Sequence, residues 1–180
     1  MAECKQAVLV EKETAHRDCL TGCYDRMTIR HLVDLCFLKS DVRQSHAMFV
    51  IDVDNFKNYN DKYGHANGDL CLKHFAATMK KCFPKDSILG RYGGDEFVVY
   101  IKNAVSDDAH RYMDEFQREI SHLMMSGGEH VTVSASAGGV AFIGEGEDFV
   151  SLCRSADNML YDVKRNGKGT FKIKGAKKAC

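Results

Sequence analysis

Long apolar runs, tryptophan and net charge are absent from this 180-residue chain, which also has a single proline. Apolar stretches such as 47–51 are far shorter than the roughly 20 residues that span a bilayer, and glutamates interrupt the first 14 residues, so we expect neither a membrane contact nor a secretory signal. Basic and acidic residues balance at 25 each, which gives no overall field for nucleic acid and requires local groups to hold any anionic ligand. These absences predict a single cytoplasmic domain without an internal linker.

Eight cysteines are the main compositional excess. Several, such as Cys36 and Cys153, sit inside apolar helical patterns, which is typical of free thiols that pack as small hydrophobic residues in a reducing compartment. A zinc site is the alternative, but only Cys19 and Cys23 are close together, and no second Cys/His pair follows at a zinc-like distance. We therefore favour structural thiols.

The periodicity of apolar residues predicts alternating helices and strands. Helices are expected over 4–17, 24–38, 55–64, 69–82, 106–125 and 147–164, and strands over 46–54, 87–92, 96–101, 131–142 and 170–174. The two strands around Gly93 and Gly94 form a hairpin signal. This order, crossover helices with one internal hairpin, predicts an α+β sandwich: a split βαβ, mostly antiparallel sheet covered by helices.

Asp52 and Asp54 lie two residues apart at the end of the first predicted strand, so both side chains should point to one face. Carboxylates at the end of an apolar strand are costly unless a cation or solvent receives them. Magnesium takes such oxygen ligands, whereas the simpler alternative is that Asp54 caps the helix beginning at Asn55. Considered alone, this pattern favours the cap.

The turn Gly93-Gly94-Asp95-Glu96 changes that preference. Two glycines in a tight hairpin let a ligand approach the backbone closely. Asp95 could complete a metal site if the hairpin lies beside the strand that carries Asp52. The simpler alternative is that Gly-Gly-Asp only forms a turn, but a plain turn would not require Glu96, or Arg91 and Tyr92 before it.

The segment RYGGDEF resembles the signature of the GGDEF family of diguanylate cyclases. Four further segments match the family's motifs in order: DCLTGCYDR (18–26), IDVDNFKNYNDKYGHANGD (51–69), SASAGGVAF (134–142) and ADNMLYDVKRNGKG (156–169). The five motifs occur in the family's order from Asp18 to about Gly169, a span that covers most of the chain. The resemblance implies a ferredoxin-like core related to polymerase palms, a cyclase domain over 18–175, the end of a helical linker over 1–17, and a tail over 176–180.

The resemblance also implies the site. Asp52, Asp95, Glu96 and the backbone carbonyl of Val53 would hold two Mg²⁺ or Mn²⁺ ions. Asn60 and Asp69 would bind guanine, whose N1–H and N2–H donors suit a carboxylate, whereas adenine offers an acceptor at N1. The other residues expected to contact GTP are Phe56, Lys57, His65, Arg91, Gly93, Gly94, Lys164 and Lys168.

Several of these residues have simpler alternatives. Asp69 could cap a helix beginning at Leu70, His65 could anchor its loop, and the lysines from Lys164 onward could belong to a solvated tail. Arg91 could position an acid. Glu96 could assist deprotonation of a 3′-hydroxyl or bind the second metal ion.

Family members bind one GTP per domain, so the resemblance implies a homodimer, at least transient, that joins two GTP molecules into cyclic di-GMP. Many carry an inhibitory R-x-x-D site, but Pro84 and Ser87 occupy those positions here, so we expect no product inhibition there.

Asp25, Cys23 and Lys168-Gly169 also depart from the family pattern. We expect regulation by a sensory region or partner outside this segment. The alternatives are a catalytically weak GTP-binding regulatory module and a cyclase with another nucleotide choice.

Overall fold

The computed structural model describes residues 15–39, 44–121, 123–124, 130–143 and 148–175. The helix expected over 4–17 lies outside these ranges except for its last three residues, which are not helical: Arg17 instead forms an isolated bridge with Tyr24. The expected tail over 176–180 also lies outside the described residues.

Helices and strands alternate along the described chain. The helices are α1 (Arg26–Lys39), α2 (Phe56–Tyr63), α3 (His65–Cys82), α4 (Ser106–Ile120) and α5 (Phe149–Arg165). The strands are β1 (Ser45–Val53), β2 (Ile88–Arg91), β3 (Glu96–Ile101), β4 (Leu123–Met124), β5 (His130–Val131), β6 (Ala135–Ile143) and β7 (Phe171–Lys174).

A five-stranded open sheet, in the order β2-β3-β1-β6-β7, forms the centre of the domain. Only β6 and β7 pair in parallel; the other three neighbouring pairs are antiparallel. This mixed sheet flanked by helices confirms the predicted α+β architecture. The central position of β1 explains why its sequence is almost entirely apolar, because both of its faces are buried.

Alternate residues of β1 enter two separate cores. Phe49 and Ile51 face the core beneath α3 and α4, whereas Met48 and Val50 face the core beneath α1 and α5. Asp52 continues the second series, so its side chain points toward α5. Among the described cysteines six are free thiols, five of them buried and the sixth, Cys19, exposed.

Two predicted helix boundaries are wrong. Helix α3 begins at His65 rather than Asp69, because Gly68 lies inside the helix instead of ending the preceding turn. Helix α4 ends at Ile120 rather than near Met125, and Leu123 and Met124 pair as a short strand with β5. Backbone pairing between these two short strands, whose partners are six to eight residues apart, decides this second case, and helical periodicity alone does not reveal it.

The ends of α1 and α5 are fixed by aspartates. Asp25 accepts a 2.8 Å hydrogen bond from the Thr28 amide and so caps α1. Asp148 and Ser151 form a capping box at the start of α5, and Asp34 of α1 accepts a bond from the Phe149 amide. No helix in the described ranges combines the length and apolar character needed to cross a membrane.

Candidate active site

The candidate site lies where β1 ends beside the turn between β2 and β3. Asp52 is directly opposite Glu96 in the β1–β3 register. The Val53 amide donates a 3.2 Å hydrogen bond to the Asp95 carbonyl oxygen, which continues the pairing into the turn. The hairpin therefore does lie beside the Asp52 strand, the condition on which a shared acidic site depended.

The turn itself is closed by backbone hydrogen bonds onto Glu96. The amides of Tyr92 and Gly93 donate to the Glu96 carbonyl at 2.8 and 3.2 Å. A Cβ atom at Gly93 would come within 2.9 Å of the Glu96 carboxylate, so the glycine leaves room for that side chain. At Gly94 a Cβ atom would meet nothing within 4 Å, which leaves open space at the tip of the turn.

Arg91 holds this turn against the first motif of the chain. Its Nη1 atom lies 3.1 Å from both carboxylate oxygens of Asp18, and its Nε and Nη2 atoms donate to the Gly94 carbonyl at 3.1 and 2.7 Å. Asp18 also accepts from the Thr21 amide and hydroxyl. Although burial opposes the change, these hydrogen bonds together lower the pKa of Asp18. Arg91 thus positions an acid, one of the roles expected of it.

Lys164 reaches the site from the last turns of α5. Its Nζ atom lies 2.9 Å from Oδ2 of Asp52, whose side chain is 14% exposed. Burial raises the pKa of Asp52, the Lys164 ammonium opposes that rise, and the charges of Asp95 and Asp54 add to it. Burial also raises the pKa of Glu96, reinforced by the charges of Asp52 and Asp95. The site therefore crowds like charges that a further cation would stabilise.

Asp54 does not cap α2, contrary to the simpler expectation. Its two carboxylate oxygens accept hydrogen bonds from Ser136 Oγ at 2.6 Å, Ser134 Oγ at 2.9 Å and the Gly169 amide at 3.0 Å. The residue at the N-cap position is Asn55, in the left-handed conformation. Asp54 is therefore a buried anchor between β1, β6 and the segment after α5, which leaves Asp52 as the member of the pair available to a ligand.

The donor set suits a hard cation. Asp52 and Asp95 supply carboxylate oxygens, and the adjoining backbone supplies the Val53 carbonyl, all of the type that Mg²⁺ and Mn²⁺ prefer. Among the residues that the structure describes, no three His, Cys, Asp or Glu side chains are grouped to hold a metal ion by themselves. A magnesium ion does not need such a group, because it usually keeps waters and substrate phosphate oxygens in its shell.

Asn60 and Asp69 come together because α2 packs against the start of α3. The Asn60 side chain lies directly over Gly68, where a Cβ atom would fall 1.8 Å from Asn60 Oδ1. Asp69 is the next residue and is exposed inside α3, so it does not cap a helix as the alternative expectation had it. Oδ1 of Asn60 is buried without a hydrogen-bond partner among the described residues. An unsatisfied acceptor beside an exposed carboxylate suits a ligand with two N–H donors.

The remaining expected residues surround the same end of the sheet. Lys57 is exposed in the first turn of α2, while Phe56 is partly buried against the core. His65 is the exposed first residue of α3. Lys168 follows α5 and donates to Asn55 Oδ1 at 2.8 Å. Lys57 and Lys168 thus lie near the N-terminus of α2, where helix amides also favour anions.

Sequence reasoning missed three contributors to the site. Asp18 is the first residue of the motif DCLTGCYDR, but its partner Arg91 is 73 residues away in the chain. Asp157, within the last motif, adds a negative charge that helps raise the pKa of Glu96. Asn55 was considered only as the start of a helix. All three residues lie inside or beside the motifs named above, which is a signal that the sequence offers. The sequence does not show which residues they contact.

The fold and the site define an α+β domain with three carboxylates gathered around a glycine turn. A family model described as diguanylate cyclase, GGDEF domain, matches residues 15–170. The diguanylate cyclase DgcM of Escherichia coli (strain K12) is 30% identical over 158 residues, which is 87% of this chain but 38% of the relative's length. The chain thus spans well under half of that protein.

Solved structures agree with the family model. The GGDEF domain of PA1120 (TpbB or YfiN) from Pseudomonas aeruginosa has a TM-score of 0.82 and 28% identity, covering 88% of this chain and 94% of that one. Diguanylate cyclase SiaD from the same organism, solved with its activator SiaC, has a TM-score of 0.85 and 29% identity, covering 94% and 66% respectively. This chain belongs to the GGDEF family of diguanylate cyclases.

Proposed function

We propose that this domain condenses two GTP molecules into cyclic di-GMP and releases pyrophosphate. The observation that carries the proposal is the placement of Asp52 opposite Glu96, with Asp95 joined through its carbonyl to the Val53 amide. Acids from two strands thereby converge at an open glycine turn whose sequence is the family signature. Such a cluster is costly to maintain and is typical of a site that receives a cation and a phosphate.

Asp52, Asp95 and the Val53 carbonyl are the proposed ligands of two Mg²⁺ or Mn²⁺ ions. When bound, these ions would offset the charge of the reacting phosphate and of the leaving pyrophosphate. Lys164 holds the carboxylate of Asp52 in place meanwhile, at 2.9 Å. Because an ammonium already neutralises one acid, the site is less repulsive in the free protein than three unpaired carboxylates would be.

Guanine is the base that the acceptor groups of α2 and α3 favour. Asn60 Oδ1 is an unsatisfied buried acceptor and Asp69 is an exposed carboxylate beside it. Both accept hydrogen bonds, which suits the N1–H and N2–H donors of guanine. Adenine has an acceptor at N1, whose lone pair would face these oxygen acceptors. A buried acceptor left unpaired in this way discriminates strongly against the ligand that lacks the donor.

The triphosphate is assigned to the cationic end of the site. Lys57 in the first turn of α2, Lys168 after α5 and Lys164 would contact its oxygens, and the amides of Phe56 and Lys57 at the helix N-terminus add donors. Gly93 and Gly94 let the phosphates approach the turn backbone. Arg91 contributes by holding Gly94 to Asp18.

The reaction forms one bond and breaks another at each α-phosphorus. The ribose 3′-oxygen of one GTP bonds to the α-phosphorus of the other, the bond to the β-phosphate oxygen breaks, and pyrophosphate leaves. Glu96 would accept the proton of the 3′-hydroxyl. Its raised pKa favours this role, because a base whose pKa lies closer to the working pH transfers protons more efficiently.

Each domain presents one such site, so the condensation requires two domains facing each other as a homodimer, at least transiently. Pro84 and Ser87 stand where many relatives have the arginine and aspartate of an inhibitory site, and their backbones form a turn in which the Ser87 amide donates to the Pro84 carbonyl. Neither side chain can grip a guanine edge and phosphate as a guanidinium does. We therefore propose that product does not inhibit through this site.

Chromatography of the products tests the proposal. The protein is incubated with Mg²⁺ and GTP, ATP or a mixture of the two, over a wide range of protein concentration, because a weak dimer is inactive when dilute. Cyclic di-GMP from GTP alone supports the assignment. Bound GTP without product at every protein concentration would instead identify a regulatory GTP-binding module, and a mixed dinucleotide would overturn the guanine assignment.

A further inference from the structure

We propose that Asn55 is a positioning residue that holds Lys168 ready for the triphosphate. This inference rests on the proposed function and concerns a residue for which neither the motif nor the fold requires a role. The ammonium of Lys168 lies 2.8 Å from Asn55 Oδ1, although the two residues are 113 positions apart. Both side chains are exposed, so the contact does not result from close packing.

The backbone at both residues is held in an uncommon conformation. Within the described ranges, Asn55 (φ 56°), Asn103 (φ 51°) and Lys168 (φ 63°) are the non-glycine residues with positive φ. Asparagine tolerates this region, but lysine gains nothing from it, and glycine would be less strained at either position. Two of the three such residues contact each other at the proposed site, where strain is commonly maintained for function.

Asp54 explains how the two segments stay in register. The Gly169 amide, immediately after Lys168, donates to Asp54 Oδ2 at 3.0 Å, and Asp54 is the residue before Asn55. Ser136 of β6 and Ser134, just before that strand, fix the Asp54 carboxylate. The two segments therefore run in opposite directions beside each other, with Asp54 bonded to Gly169 and Asn55 to Lys168.

The chemistry of the acceptor distinguishes Lys168 from Lys164. Lys164 is paired with a carboxylate, which neutralises it. Lys168 is held by an amide oxygen, which fixes its position but leaves its full charge. A phosphate oxygen is a stronger acceptor for an ammonium than a neutral amide oxygen. The Lys168 ammonium can therefore exchange its hydrogen bond to Asn55 for one to a phosphate oxygen of the ligand. Because the side chain is already ordered, less conformational entropy is lost on binding.

Stability alone does not account for this contact. An exposed hydrogen bond between two flexible side chains contributes little to folding, and the left-handed backbone favours glycine at position 55. Replacement by glycine thus removes the Lys168 partner while relieving the backbone. Asn103→Gly is a matched control, because Asn103 is exposed, has a similar φ and follows the far end of β3, away from the site.

A double-mutant cycle on nucleotide affinity tests the proposal. The ligand is a GTP analogue with a methylene group between the α- and β-phosphorus atoms, bound in the presence of Mg²⁺ and followed by calorimetry. Asn55→Gly should weaken binding about two- to tenfold, the range expected for ordering one long side chain. Lys168→Met should weaken it more, and adding Asn55→Gly to Lys168→Met should change it less than about twofold. Asn103→Gly should leave affinity unchanged, and the thermal midpoints of both glycine variants should be equal to or above that of the parent.

Unchanged affinity in Asn55→Gly, or an equal loss in the Lys168→Met background, would overturn the proposal. The affinity measurement does not depend on turnover. If the parent protein binds the analogue but makes no cyclic dinucleotide, the proposed function is wrong, and the double-mutant cycle still decides the role of Asn55. A parent that does not bind the analogue would overturn both.

Discussion

Arg91 and Asp18 form a fork-shaped ion pair in which Nη1 lies 3.1 Å from each carboxylate oxygen, joining the first motif to the glycine turn. The other edge of the guanidinium holds the Gly94 carbonyl. One planar group therefore connects a segment near residue 20 with the tip of the turn. The position of Asp95, next to Gly94, depends on this connection.

Arg91→Lys should show whether the positive charge at position 91 is sufficient or whether the planar geometry of the guanidinium is needed. Lysine keeps the charge but cannot bond Asp18 and Gly94 at once, so we expect a loss of about 1.5–3 kcal/mol in unfolding free energy, typical of charged hydrogen bonds. Misplacement of the turn should lower kcat by about tenfold or more with a smaller effect on KM. Urea unfolding and initial rates measure the two effects. Unchanged kcat in Arg91→Lys would contradict a positioning role.

Gly68→Ala should impair guanine binding without changing any charge. Alanine inside a helix is normally more favourable than glycine by about 1 kcal/mol, but here its Cβ would fall 1.8 Å from Asn60 Oδ1 and displace that side chain. We expect no gain in stability and about tenfold weaker GTP binding, the equivalent of one lost hydrogen bond.

The double variant Asn60→Ala/Gly68→Ala serves as the control. Removal of the Asn60 amide makes room for the new methyl group, so the thermal midpoint should rise above that of Gly68→Ala. Affinity for GTP should stay low because the acceptor is gone. If Gly68→Ala binds GTP as the parent does, Asn60 is not a guanine contact.

His46 should make stability depend on pH. Its ring is 1% exposed and stacks on Tyr100, and burial, then the charge of Lys102, lowers its pKa below the usual 6.5. The folded state thus keeps the imidazole neutral. As pH falls through 6.5 toward the lower folded pKa, the unfolded chain binds the proton first, so stability decreases; above 6.5 this effect vanishes.

His46→Phe should reduce this loss, which is measured as the difference in urea midpoint between pH 7.5 and 5.5. His65→Gln, at an exposed position, should keep the parent's pH dependence. A loss of stability that is identical in His46→Phe and the parent would show that another group is responsible.

Product inhibition should be absent from the site before the turn. With Pro84 and Ser87 in place of the usual arginine and aspartate, added cyclic di-GMP should not reduce the initial rate through a site distinct from that of GTP. Any inhibition should be competitive and relieved by raising GTP. Noncompetitive inhibition by product, measured at several GTP concentrations, would contradict this.

The sequence predicted the central sheet because its strands and hairpin are local patterns, whereas the roles of the site residues stay predictions. Strand β1 is a continuous apolar run, and the hairpin around Gly93 and Gly94 has the composition of its turn. The convergence of Asp52 and Asp95 followed from pairing β1 with β3. Local pattern and tertiary structure agree for these elements.

The errors arise where a distant partner decides the outcome. Asp54 has the composition of a helix cap, but Ser134 and Ser136, about 80 residues away, take its carboxylate. Helix α3 begins at His65, so Gly68 lies inside it, with the Asn60 side chain packed over the glycine. Arg91 could not be assigned before Asp18 was known to lie beside it. Single-residue propensities do not encode such pairings.

The stoichiometry of the products tests the central claim most directly. With GTP and Mg²⁺, the parent protein should release two pyrophosphates for each cyclic di-GMP, and Asp95→Asn should give neither product while keeping the parent's thermal midpoint. Formation of GDP and phosphate, or turnover by Asp95→Asn equal to that of the parent, would contradict the account.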